Sequence, residues 1–250
     1  MLPGARAFIP RGLEVQFALA KTGKYASSES GDTVEMVERP NGGLSLVLAD
    51  GQRSGRAAKL ISNIAARKIV SLLADGVRDG AAARAAHDYL RTLRQGQVSA
   101  EVSIASVDLV SGTLVISRNT QCPALIFETS PAGIEVRRLD EPSEPMGIHA
   151  GTKPVISEMP VQAGLYAVLF SDGILVAGSR RGLVFDVAEY TQGLLARYGA
   201  DAQRLADDIL GRALELDEGR PADDTSVAVL TITPDGAGPQ IRRMCARFPV

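Results

Sequence analysis

Apolar positions along the chain follow two rhythms. The first is short, alternating or running apolar, at 14–20 (EVQFALA), 33–38 (TVEMVE), 44–49 (LSLVLA), 102–110 (VSIASVDLV), 113–119 (TLVISRN), 123–129 (PALIFET), 134–139 (IEVRRL), 165–171 (LYAVLFS) and 226–233 (SVAVLTIT). Gly, Pro, Asn or Asp separate these runs, so each predicts a strand. The VSG at 110–112 and the PAG at 131–133 are short enough for hairpin turns and predict antiparallel pairing there. The second rhythm is helical. Ala57, Leu60, Ile61, Ile64, Ala65, Leu72 and Leu73 recur at helical spacing within 56–74, with Gly76 as a stop, and an alanine-rich segment follows over 79–95 up to Gly96. A second helical pair is predicted at 186–198 and 201–216, with Asp201 as an N-cap and Gly219 beyond the end. Strands, helix pair, strands, helix pair, strand: this order predicts an α+β chain, with antiparallel sheets face to face and helix pairs on the outer faces. Neither a repeat nor a long linker interrupts it, so residues 1–250 read as one domain.

Composition narrows the function without naming it. A hydrophobic share of 45% and a charged share of 22% are those of an ordinary globular chain, long enough to bury a core without staples. The formal net charge of −2 provides no overall basic field for nucleic acid or an anionic membrane, so any phosphate chemistry must be local. Cys122 and Cys245 make neither a disulfide framework nor a metal cluster. The N-terminal MLPGARAFIPRG has no apolar signal-like segment, and no run approaches the ~18 apolar residues of a membrane span. A cytoplasmic location without a lipid anchor is the expectation.

Four aspartates stand out by context. Asp32 precedes a strand in SGDTVEM, Asp50 ends one in LADGQRSG, Asp172 ends another in LFSDGIL, and Asp223 precedes the last in PADDTSVAVL. A lone Asp-Gly after a strand is a turn signal, and aspartate is rarely buried unless paired. Four such sites, two in near-identical strand–Asp-Gly settings, predict convergence at the ends of packed strands. Clustered carboxylates repel unless protonated or neutralised by a cation. An all-oxygen set suits Mg²⁺ or Mn²⁺ rather than zinc. Two such ions about 3.5–4 Å apart can activate water for in-line attack on phosphorus. Glycine after the aspartate allows close backbone approach, so that its carbonyl can serve as a further ligand.

Other catalytic patterns are missing. GQRSGRA at 51–57 has its glycines one residue too close for a phosphate-binding loop, and Arg-Ala stands where Lys-Ser/Thr is needed. There is no G-x-S-x-G elbow. His87, mid-helix in AAHDYL, and His149, in the loop MGIHAG, are the only histidines, and both read as structural.

SGD (30–32), LADGQRSG (48–55), LFSDGI (169–174) and ADDTSVAVL (222–230) resemble, in order and relative spacing, the metal-dependent protein phosphatases of type 2C. The resemblance is strongest to their bacterial sporulation-stage-II-E branch, whose middle strands are similar to residues 102–127 and whose following segment is similar to EPMGI (144–148). It covers roughly residues 14–233, and the expectation is that no sensor or membrane domain precedes it. It implies an α/β/β/α sandwich of two antiparallel sheets with two Mn²⁺ or Mg²⁺ ions between them. By this resemblance Asp50 would bridge both metals, the Gly51 carbonyl would bind one, Asp172 and Asp223 would hold the other, and Asp32 would act directly or through a water. The implied activity is that of a serine/threonine protein phosphatase: a metal-activated water attacks phosphoserine or phosphothreonine directly, without a phosphoenzyme. The implied partner is a phosphorylated bacterial regulator, an anti-sigma-factor antagonist or a stressosome scaffold.

The chain departs from the family pattern in two places. Gln52 follows the Asp-Gly where many members carry a histidine that could act as general acid, and no replacement is identified. The phosphate-gripping arginine of eukaryotic members has no clear match; Arg53 and Arg56 are the nearby alternatives, set against a reading as solvated charges at a helix start. Two further functions fit the same residues: an inactive phosphatase-fold binding module and a phosphatase for small esters.

Overall fold

A computed structural model describes residues 12–199, 201–235 and 241–247; the N-terminal stretch 1–11, on which the expectation about targeting partly rests, lies outside them. Ten strands form two five-stranded sheets. One has the order β1 (Leu13–Thr22), β10 (Thr225–Pro234), β9 (Leu165–Phe170), β6 (Ala124–Ser130), β7 (Gly133–Leu139). The other has the order β2 (Asp32–Glu38), β3 (Leu44–Gly51), β4 (Ala100–Asp108), β5 (Thr113–Asn119), β8 (Val155–Pro160). Every pairing is antiparallel. The hairpins expected at 110–112 and 131–133 join β4 to β5 and β6 to β7.

The sheets pack face to face. Leu46, Leu48, Leu114 and Ile116 from one meet Ile126, Leu165, Leu169 and Leu230 from the other in a shared inner core. Because side chains alternate across a strand, the intervening Val47 and Ala49 of β3 point outward. There they bury against α1 (Gly55–Ala74) and α2 (Asp79–Leu93) through Ile61, Ala65, Ile69, Leu73, Ala86 and Leu90. Leu125, Phe127, Val168 and Val229 do the same against α4 (Val187–Tyr198) and α5 (Ala202–Leu216). Burial on both faces explains why LSLVLA and LYAVLF are continuous apolar runs rather than alternating ones. The result is the four-layered α/β/β/α sandwich. A short helix α3 (Asp172–Val176) caps β9.

Helix ends follow their sequence signals. The Asp201 carboxylate accepts from Arg204 N at 3.0 Å and caps α5, and Gly76 takes φ 83° just past α1. β8 was not among the expected strands. It is a sheet edge with alternating burial, flanked by Pro154 and ending at Pro160, and proline neighbours mask so short a run.

Candidate metal centre

One end of the sandwich collects carboxylates from both sheets. Strand register sets a row in the first: Asp32 on β2 stands opposite Asp50 on β3, and Asp50 stands opposite Glu101 on β4. Directly opposed residues of antiparallel strands share a face, where like charges repel. In the second sheet, Asp172 opens α3 just after β9, and Asp223 and Asp224 immediately precede β10. All four aspartates singled out in the sequence thus lie at the same end. Asp32 is fully buried, Asp50 and Asp223 are half-buried, and Asp172 is exposed at the rim.

Ser226, at the start of β10, links the two sheets there. Its hydroxyl donates to Asp32 Oδ2 at 2.6 Å, and its backbone N donates to Ser171 Oγ at 2.9 Å. Asp224 is the buried member of the Asp-Asp pair. Its Oδ1 accepts from Lys24 N and its Oδ2 from Gly31 N, each at 2.9 Å, so it moors both ends of the 23–31 connection that delivers Asp32. Lys21 and Lys59 donate to the Asp32 carbonyl oxygen at 3.0 and 2.6 Å.

Electrostatics tie the cluster together. Burial pushes the Asp50 carboxyl up to about 9, helped by the negative charges of Asp32, Asp172, Glu101 and Asp223. Partial desolvation, then Asp223, Glu101 and Asp32, raise Asp172 to about 6. Asp32 is raised too, chiefly by burial, against the hydrogen bond from Ser226 and the nearby Ser171 hydroxyl. Burial, and then the neighbouring Lys21, lower the pKa of Lys59.

Both Asp-Gly steps require glycine because another backbone crosses them. A Cβ on Gly51 would lie 2.0 Å from the Ala58 carbonyl oxygen of α1, and one on Gly173 would lie 2.2 Å from the Asp224 carbonyl oxygen. Close approach, rather than turn geometry, explains both glycines.

The arrangement fits divalent cations. Asp32 Oδ1 is buried with no hydrogen-bond partner among the described residues, an arrangement that costs free energy unless a cation or proton meets it. The donors are all oxygen, the set preferred by Mg²⁺ and Mn²⁺. The carboxylates converge without closing: among the described residues, no three acidic, histidine or cysteine side chains already form a cage.

The remaining candidates divide clearly. Gln52, Arg53 and Arg56 are exposed at the β3–α1 turn, where Arg53 takes φ 76° and Gly55 φ 71°. His87 is buried in α2, its Nδ1 accepting from Gly147 N at 3.0 Å, which makes it a core residue. His149 is exposed in its loop. Cys122 is buried, and burial pushes its thiol well above the ordinary range. Sequence reasoning missed Glu101, Asp224 and Ser226. Glu101 looks like an ordinary polar strand position until pairing sets it opposite Asp50.

Comparison with known proteins agrees with this geometry. The family model described as Stage II sporulation protein E (SpoIIE) matches residues 40–233, more than half of the chain. The fold is similar to the PP2C phosphatase domain with a fragment of the regulatory domain of the cell fate determinant SpoIIE from Bacillus subtilis, at 20% identity and TM-score 0.76. That match covers 90% of this chain but spans only 64% of the other. The RsbU and RsbW domains of Rv1364c from Mycobacterium tuberculosis match at 18% identity and TM-score 0.71, covering 94% of this chain and 65% of that one. The catalytic domain of the serine/threonine protein phosphatase PstP, in complex with two manganese ions, matches at 16% identity and TM-score 0.67, covering 88% and 99%. At such identities these likenesses show the fold. Curated protein sequences give no match. No helix among the described residues is long and apolar enough to cross a membrane. Matched over residues 40–233 and folded as a PP2C-type sandwich, the chain belongs to the stage II sporulation protein E family of phosphatases.

Proposed function

We propose that this chain is a Mn²⁺- or Mg²⁺-dependent protein serine/threonine phosphatase acting in the cytoplasm on a phosphorylated bacterial regulatory protein. The observation that carries the reading is the convergence of Asp32, Asp50, Asp172 and Asp223 from both sheets, with the Asp50 carboxyl raised to about 9 by burial and by the others. Such a set holds its charge only against cations. The stressosome and RsbU relatives by fold favour a regulatory protein as substrate.

In this reading Asp50 would hold both ions, the Gly51 carbonyl would hold one of them, Asp172 and Asp223 would hold the other, and Asp32 would contribute its buried Oδ1 directly or through a water. Bound ions would polarise water and neutralise the phosphoryl oxygens. The chain's own residues do the rest. Ser226 and the two lysines fix Asp32, and Asp224 fixes the loop that carries it. Arg53 and Arg56, exposed on the turn and helix start that follow Asp50 and Gly51, would meet the dianionic phosphate as it arrives. Gln52, an amide, can donate a hydrogen bond but not act as an acid, so the leaving group takes its proton from elsewhere.

The test is hydrolysis of p-nitrophenyl phosphate and of phosphoserine peptides in Mn²⁺. Asp50→Asn and Asp172→Asn should each lose more than about 100-fold, beyond the usual effect of disturbing a residue behind a metal ligand. A wild-type protein that is inert in Mn²⁺ and Mg²⁺ and binds neither ion by calorimetry would reduce the chain to a binding module. Turnover of sugar phosphates or nucleotides far above that of phosphopeptides would make it a small-ester phosphatase.

A further inference from the structure

We infer that Glu101 is a fifth carboxylate of the metal centre, a ligand contributed by β4 beside the aspartate quartet. This rests on the metal-dependent reading above and extends its donor set. Register places Glu101 directly opposite Asp50, one strand further from Asp32, so the three carboxylates form a row on one face. Glu101 and Asp50 line the same cleft, together with Thr120, Phe170 and Ser171 at the sheet ends.

Glu101 is also held in a fixed pose. The Thr120 hydroxyl donates to its Oε2, and Gln121 N donates to the same oxygen at 3.2 Å. Gln121 is itself moored, its side-chain amide donating to the Ser143 carbonyl at 2.7 Å, while Ser143 Oγ donates to the Arg118 carbonyl at 2.6 Å. Both donors engage Oε2, and among the described residues none donates to Oε1. A carboxylate with one oxygen pinned and one open, set opposite another carboxylate, is oriented as a ligand is oriented by the groups behind it.

An acidic row alone would be an exposed charged edge. The second observation is Asp32, at the far end of the row: its side chain is fully buried, and its Oδ1 has no partner among the described residues. A row with such an oxygen at one end and a pinned glutamate at the other calls for a cation between them. Glu101 also acts electrostatically on Asp50 of one sheet and on Asp172 beside the other.

Glu101→Gln tests this, because the amide keeps an oxygen for Thr120 and Gln121 and removes only the charge. Two measurements are made on the whole chain: Mn²⁺ titration by calorimetry, and melting in EDTA. The variant should bind Mn²⁺ about 10-fold more weakly, or with one ion fewer, the scale of losing an anionic partner at a metal site. In EDTA it should melt no lower than wild type, since the amide keeps the hydrogen bonds of Thr120 and Gln121. If Glu101 serves only to hold Thr120 and Gln121, Mn²⁺ binding stays as in wild type; that result overturns the inference while leaving the phosphatase reading intact. Failure of the wild-type chain itself to bind Mn²⁺ overturns both.

Discussion

Asp50 holds a proton that the unfolded chain would release. Its carboxyl moves from the ordinary 3.8 to about 9 in the metal-free fold, so between those values the folded state binds more protons than the unfolded one. Stability therefore falls as pH rises through that window, from its full value below the unfolded pKa. Asp32 shifts in the same direction, and Asp172, raised to about 6, adds to the loss in the lower part of the range. In EDTA the melting temperature should drop steadily from about pH 5 to about pH 8. Saturating Mn²⁺ should reverse the slope, because ligands must be deprotonated to bind. A melting temperature that holds or rises with pH in EDTA would contradict the clustered-carboxylate picture. At this scale the sequence was informative but uneven. Asp32, Asp50, Asp172 and Asp223 were legible because each sits beside a glycine or at a strand end. Glu101 and Asp224 were not: the first depends on register between strands, the second on which of two adjacent aspartates turns inward.

Among the elements, α1 and α2 are fixed to their sheet by more than apolar burial. Arg39, at the end of β2, donates to Asp79, the first residue of α2, at 2.7 Å, and both side chains are buried. A second guanidinium nitrogen reaches the Val77 carbonyl at 3.2 Å, while Ser106 of β4 donates to the other Asp79 oxygen. Ser45 joins Ser106 at 2.6 Å. Removing one partner strands a buried charge, so Arg39→Ala should destabilise the chain by about 3–5 kcal/mol. Urea denaturation measures this, and an effect below about 1 kcal/mol, typical of an exposed pair, would show that the bridge is not effectively buried. The helices and most strands could be read from periodicity because each buries a regular stripe or face. β8 could not, being a short edge run among prolines, and α3 is too brief to carry a helical pattern.

For the molecule as a whole, the two sheets share an apolar interior and bring their aspartates together at one end. Ions held there should act on both at once. Mn²⁺ at 100 times its dissociation constant stabilises a binding fold by about 2.7 kcal/mol. Hydrogen exchange should then slow together in residues 23–31, 49–52, 171–174 and 221–225, drawn from both sheets. Protection confined to one sheet would mean that the ions are held by half of the proposed ligands.

β10 lies between β1 and β9 in its sheet, pairing with the strand formed first and with one formed much later in the chain. Its approach carries Asp223 and Asp224, and its second residue carries the hydroxyl that locks Asp32, so the carboxylate end stays incomplete until this strand inserts. A ribosome must therefore make the residues through β10 before the proposed metal centre can assemble. A product that stops short of β10 would lack Asp223, Asp224 and Ser226, so the segment that completes the sheet also completes the carboxylate cluster.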